Sequence, residues 1–484
     1  MILLRAVESL QYSPLQQPAM NRLSPTCFLI WILGCRLGVA FCNFAFTILG
    51  WFSLCLITSS LQAQNPIVPP GVYIADPSAH VWQDGRLYVY GSTDERPNHF
   101  CSFRHDVISS ADLVHWTLVT NVFASRGPSN QVPYANAPLF APDCQYKNGV
   151  YYLYHCMPGD ISEGVATSVS PVGPFVHSTR MKLYGLEGID PCVFMDDDRQ
   201  AYYIWGQFGA KMAKLKPDMT ELDPATIHDN VVTEKEHFFH EGGYLVKHAG
   251  TYYFVYTHMG RASRPTCLGY ATSKSPMGPF TYRGVIIDNS YCDPGNWNNH
   301  GSLVEFKGRW YVLYHRSTHG SFTMRKTCME PITFNPDESI NEVEMTTQGA
   351  LGPLNPIDKM EAERACLLHG NVRVQALAPD NDELAGIKAG DCAAYKYFDF
   401  GAGVGRFTVC VALGAKPGTI DVALDNPWGA SIGSVSVPDH GSSGTWQKLS
   451  CAIGSVKGVH AIWLRFDGEG DNLFQVDWFQ FARN

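Results

Sequence analysis

The chain of 484 residues is too long for one ordinary core and long enough for two domains. Charged residues make up 17% and apolar residues 45%, the net charge is −9, and no Lys/Arg run occurs. This excludes a mostly disordered chain and argues against nucleic acid or an anionic membrane surface as partner. The 23 Tyr, 11 Trp, 44 Gly and 30 Pro predict a turn-rich β protein rather than a helical bundle.

Residues 1–64 read as a leader. Between Arg22 and Gln64 the only charge is Arg36, and 37–60 is apolar or small throughout. Cleavage near Ala63 would release a secreted, periplasmic or cell-surface protein; the apolar run is long, so an uncleaved anchor is the alternative. Four of the 15 cysteines lie in this leader. The other eleven are scattered singly, without a CxxC pair or metal-ligand spacing, and are expected as buried thiols.

From residue 65 to 348 one signature recurs five times: a polar turn, then paired aromatic or apolar residues ending in Tyr or Trp. The copies are 84–90, 148–154, 198–205, 249–256 and 307–314. Each predicts a hairpin. The marker residues Tyr88, Tyr152, Tyr203, Tyr253 and Tyr311 are 64, 51, 50 and 58 residues apart. Five units of about four strands fit a five-bladed β-propeller.

A polar residue precedes each hairpin at a similar distance. These are Asp76 in Ala-Asp-Pro, Asp143 in Ala-Pro-Asp, Asp190 in Ile-Asp-Pro, Glu241 in Glu-Gly-Gly and His300 in Asn-His-Gly. In a propeller such positions converge at one end of the axis. Like charges gathered there drive their pKa values apart, which acid/base chemistry needs. Singly, an Asp before Pro is an ordinary turn residue.

These motifs together resemble glycoside hydrolase family 43, five-bladed propeller enzymes acting on arabinose- and xylose-containing plant polysaccharides. The resemblance implies an inverting mechanism. Asp76 would be the general base, Glu241 the general acid, and Asp190 the residue that orients the acid and keeps its pKa raised. Inversion would place the Asp76 and Glu241 carboxyls roughly 6.5–9.5 Å apart. His300 would sit on the axis and face a hydrated calcium ion, or be hydrogen-bonded without metal. Arg316 would reach the sugar or Asp190, and Trp82 and Trp297 would stack on sugar faces. Asp143 matches a position that is structural in that family.

Residues 349–356 form a Pro/Gly linker, and 357–484 shift to short alternating strands that predict a β-sandwich. The segment is similar to carbohydrate-binding module family 6, a jelly roll. Glu361, Glu363 and Asp477 match that family's structural calcium motif, with Asp477 expected across from the two glutamates. The two aromatic rings of its usual sugar cleft are replaced by Cys392 and Ser443, while Asn472 is kept. Trp428 offers an alternative platform.

The whole reads as an all-β, secreted, monomeric exo-glycosidase without an organic cofactor, an α-L-arabinofuranosidase acting on arabinoxylan or arabinan. A β-xylosidase of the same family and an inactive carbohydrate-binding protein are the alternatives.

Overall fold

The computed structural model describes residues 57–59, 64–159, 163–414, 416–439 and 446–483. Apart from Gln64 and the short strand Ile57–Ser59, the leader lies outside these residues, as does Ser443.

Five antiparallel sheets follow one another along the chain, each built from consecutive strands. Their first strands are Ile74–Val81, Phe140–Lys147, Cys192–Met195, Phe239–His248 and Gly301–Phe306. Four sheets have four sequential strands and the fifth has three; Ile57–Ser59 adds an outer strand to the first. Each first strand turns back into a second strand that carries the marker tyrosine. At three of these turns, Asn148-Gly149, Ala249-Gly250 and Lys307-Gly308, both central residues have positive φ. That geometry matches the right-handed twist of the flanking strands, which is why Gly recurs there.

The first strands of successive sheets touch one another, and the fifth returns to touch the first. Among the described residues no single sheet closes on itself. The polar residues ahead of the hairpins all sit on or beside these inner strands. Asp143 ties three sheets together. It is buried and bound by Ser78, by His80 at 2.6 Å, and by the Val193 amide at 2.6 Å.

Residues after 356 build two further sheets, one of six strands and one of five. Their facing sides enclose a core that includes Tyr395, Phe407, Phe466, Phe474 and Phe479. The Pro/Gly segment is bound into the fold: Leu354 donates to the Tyr397 carbonyl at 2.8 Å and accepts from Asp399 at 2.9 Å. Buried polar contacts join the two parts. Lys326 donates to Asp382 at 3.1 Å, and Leu368 donates to the Tyr291 carbonyl at 2.8 Å. The eleven cysteines among the described residues are all free, and ten are buried.

Candidate active site

Asp76, Asp190, Glu241 and His300 line one pocket of about 230 Å³, with Arg325, Gln207, Asn298 and Phe100. The backbone is bent to bring them there. Asp76 and Asp190 have φ of 51° and 58°, a region L-residues enter at a cost and that clusters at functional sites. The register of each sheet breaks beside Asp76 and on both sides of Glu241. Such bulges re-aim side chains. Gly242 explains the Glu-Gly pair: a Cβ there would stand 2.7 Å from the His300 ring, at a φ of +64°.

Arg325 sets the electrostatics of the pocket floor. Its fully buried guanidinium donates to Asp76 Oδ1 at 2.8 Å and forks onto Asp94 at 2.9 and 3.0 Å. His315 accepts the Asp76 amide at 3.3 Å, and His300 Nδ1 lies 3.6 Å from Asp76 and 3.9 Å from Asp190. Burial alone would raise the Asp76 pKa. Arg325 and His315 together outweigh it and hold the carboxyl well below the usual carboxylate range. Asp190 moves the other way: burial, then the charges of Glu241 and Asp76, push it well above that range. One pocket therefore holds two carboxyls whose proton affinities are driven in opposite directions. Burial lowers the His300 pKa, against the pull of Asp76 and Glu241.

Glu241 is the more open of the three, its side chain 13% exposed. It accepts from Gln207 Nε2 at 2.8 Å and from Asn298 Nδ2 at 3.4 Å.

The structure does not bring Arg316 or Trp82 to this pocket. Arg316 and His315 are neighbours on one strand, so they point to opposite faces. Arg316 is buried, donates to Tyr314 and to the Thr346 carbonyl at 2.6 Å, and lies 3.5 Å from Glu330. The guanidinium at the site is Arg325, which pairs with Ser317 and so shares the face of His315. Trp82 stacks on His80 and packs edge-on against Tyr151. Trp297 is 46% exposed and adjoins Asn298.

In the second part, the residue across from Glu361 is Trp478, not Asp477. Asp477 accepts from Asn381 at 2.9 Å, and Lys359 pairs with Glu361 at 2.5 Å. Among the described residues no three His, Cys, Asp or Glu side chains gather closely enough to hold an ion. One carboxylate oxygen each of Glu361, Glu363 and Glu383 is nevertheless buried without a hydrogen-bond partner.

Residues 63–340 match the model of Glycosyl hydrolases family 43, and 361–483 that of Carbohydrate binding module (family 6). The chain belongs to glycosyl hydrolase family 43. It is 33% identical to an arabinoxylan arabinofuranohydrolase of Bacillus subtilis, over 88% of this chain and 94% of the relative. A second, from Paenibacillus polymyxa, is 31% identical over 85% of this chain and 73% of the relative. A crystal structure of a family 43 arabinoxylan arabinofuranohydrolase from B. subtilis with cellotetraose superimposes with a TM-score of 0.51. It is 29% identical and covers 87% of this chain and 98% of its own.

Proposed function

We propose that this hydrolase removes single arabinofuranosyl branches from arabinoxylan or arabinan with inversion. The observation that carries the reading is the shared pocket in which Asp76, bound by Arg325, stands with Asp190 and Glu241. Asp76, fixed by Arg325, takes the proton of the attacking water. Glu241, reached from solvent and held by Gln207 and Asn298, delivers a proton to the leaving oxygen. Asp190 positions that acid. A pocket of about 230 Å³ suits one terminal sugar, which favours exo action over chain cleavage. The names borne by the relatives from B. subtilis and P. polymyxa support the arabinofuranosyl choice.

In the same reading the five sheets are the blades of a propeller around the pocket, spanning 65–348, with the sandwich beyond the linker. Residues 1–64 direct secretion. In the sandwich, Glu361, Glu363 and Asp477 are the residues that would hold a calcium ion. Carboxylate oxygens are the ligands calcium takes, and it would satisfy the two buried unpartnered oxygens. His300 is the residue that would face a second ion, through water.

Hydrolysis of chromogenic α-L-arabinofuranoside and β-D-xyloside by wild type and Glu241→Gln tests the proposal. Arabinofuranoside turnover that collapses in the variant is the expected result. Preferred xyloside turnover would make the chain a xylosidase. Equal turnover by the variant would refute the assigned acid, and no turnover of either by wild type would leave a glycan-binding protein.

A further inference from the structure

His315 and Asn298 connect the two carboxyls that the proposed reaction uses. His315 lies on the strand Arg309–Thr318 and is fully buried. Asn298 lies on the loop before His300 and is 7% exposed. Their hydrogen bonds fix where the protons between the two carboxyls must stand.

Two backbone contacts decide the tautomer of the His315 ring. Nδ1 lies 3.3 Å from the Asp76 amide nitrogen, which can only donate. Nε2 lies 3.1 Å from the Asn298 carbonyl, which can only accept. The ring is therefore neutral, with its hydrogen on Nε2 and a bare Nδ1. Nδ1 also stands 3.3 Å from Asp76 Oδ1, but that oxygen already accepts from Arg325 at 2.8 Å, and burial lowers the His315 pKa.

The side chain of Asn298 takes its direction from this ring. Nε2 lies 3.2 Å from Asn298 Oδ1, and a donor there requires the amide oxygen to face it. The amide nitrogen then faces Glu241 and stands 3.4 Å from Oε1. The polarity runs one way: the Asp76 amide donates to His315, His315 to Asn298, and Asn298 to Glu241.

The bridge is braced from outside. Asn289 donates to the Asn298 and His315 carbonyls at 2.8 Å, and Asn296 donates to the Asn289 carbonyl at 3.0 Å. Thr257, across from Glu241 in its sheet, donates to the Asn299 carbonyl at 2.7 Å. Gln207, on the other oxygen of Glu241, is exposed, and its amide can present either end to Oε2.

We infer that His315 and Asn298 are positioning residues that decide which oxygen of the acid carries the proton. Asn298, locked as a donor, requires Oε1 to accept, so the proton stands on Oε2. In the reaction the Oε2–H bond breaks and its proton passes to the leaving glycosidic oxygen. That oxygen keeps the electron pair of the broken C–O bond, while the attacking water bonds to the anomeric carbon and gives its proton to Asp76. The Glu241 carboxylate left behind is met by the Asn298 and Gln207 amides. His315 also holds the Asp76 amide where the backbone has a φ of 51°, so one ring aims base and acid together. The inference rests on the proposed hydrolysis.

Phenyl and 4-nitrophenyl α-L-arabinofuranosides test it, since they share the sugar and differ in how much the leaving oxygen needs a proton. Asn298→Ala and His315→Leu should each lower kcat on the phenyl substrate about tenfold more than on the 4-nitrophenyl one, with KM little changed. His315→Gln, whose amide nitrogen can stand in for Nε2, should recover most of that difference. The loop variant and the strand variant are independent arms, so loss of folding in one leaves the other to decide. Equal losses on the two substrates would overturn the inference. Neutron diffraction from the deuterated full chain reads the arrangement without substrate. Deuterium is expected on His315 Nε2 and on Glu241 Oε2; deuterium on His315 Nδ1 or Glu241 Oε1 would overturn the inference. If the wild type hydrolyses neither arabinoside while the expected pattern is seen, the bridge stands and the proposed activity falls.

Discussion

Two groups of carboxyls, one in the candidate active site and one in the sandwich, are built on opposite principles. The proposed catalytic one places charge in a desolvated floor, where Arg325 holds the Asp76 pKa down and Glu241 helps to push that of Asp190 up. In the sandwich, Glu361, Glu363 and Glu383 each leave one buried carboxylate oxygen without a partner among the described residues. Asp76 and Asp190, in the first group, stand at positive φ. Strain is used there to aim a side chain that packing alone would not aim. The difference teaches where a substitution should act: on rate and proton affinity in the first group, on the stability of the sandwich in the second.

The sharpest way to break this division is to remove a reacting group. Asp76→Asn and Glu241→Gln should each lower kcat about 10³-fold, while calcium still raises the melting temperature of both. If either loses that response in proportion to rate, the two groups are not separable.

Next comes Arg325→Gln, which strands two buried carboxylates. Loss of about 3–5 kcal/mol of unfolding free energy is expected in urea melts. Asp76 works as a base only above its pKa, and Arg325 is what depresses that pKa. Its activity is lost as pH falls through that value, so removing Arg325 should move the acid limb of the rate profile to higher pH.

Calcium should act on the sandwich alone. Chelation should lower its melting temperature, and calcium at a hundred times its Kd should restore about 2.7 kcal/mol, with little change in turnover of a small arabinofuranoside. Glu361→Gln should abolish that response.

A further effect concerns Glu163, whose buried carboxyl is pushed up to about 8 and is bound by Tyr203. The folded state then holds a proton that the unfolded state releases above the ordinary carboxylate pKa. Stability is fullest below that value and falls as pH rises toward 8, by at most about 1.4 kcal/mol per pH unit. Glu163→Gln should flatten melting temperature against pH over this window.

The five hairpins were legible because their turns require left-handed residues and their second strands require aromatics, both visible in one sequence. Asp76, Asp190 and Glu241 were legible for a related reason: each stands at a fixed offset from a hairpin, beside a Pro or Gly that the bent backbone uses. Arg325 was missed in favour of Arg316. It lies one strand further on, where only the strand pairing shows that it shares the face of His315. Trp82 was misplaced because a tryptophan near a catalytic strand reads the same whether it packs between sheets or faces a sugar. The bridge through His315 and Asn298 was hidden, since it forms only where two segments meet in the fold.

The central claim is that Asp76 and Glu241 face each other across a space that admits a water. Proton NMR of the first sugar released from an α-L-arabinofuranoside tests it most directly. The account predicts that β-arabinofuranose appears first and mutarotates afterwards. Initial release of the α anomer would contradict it and require the carboxyls to work at the shorter separation of a covalent mechanism.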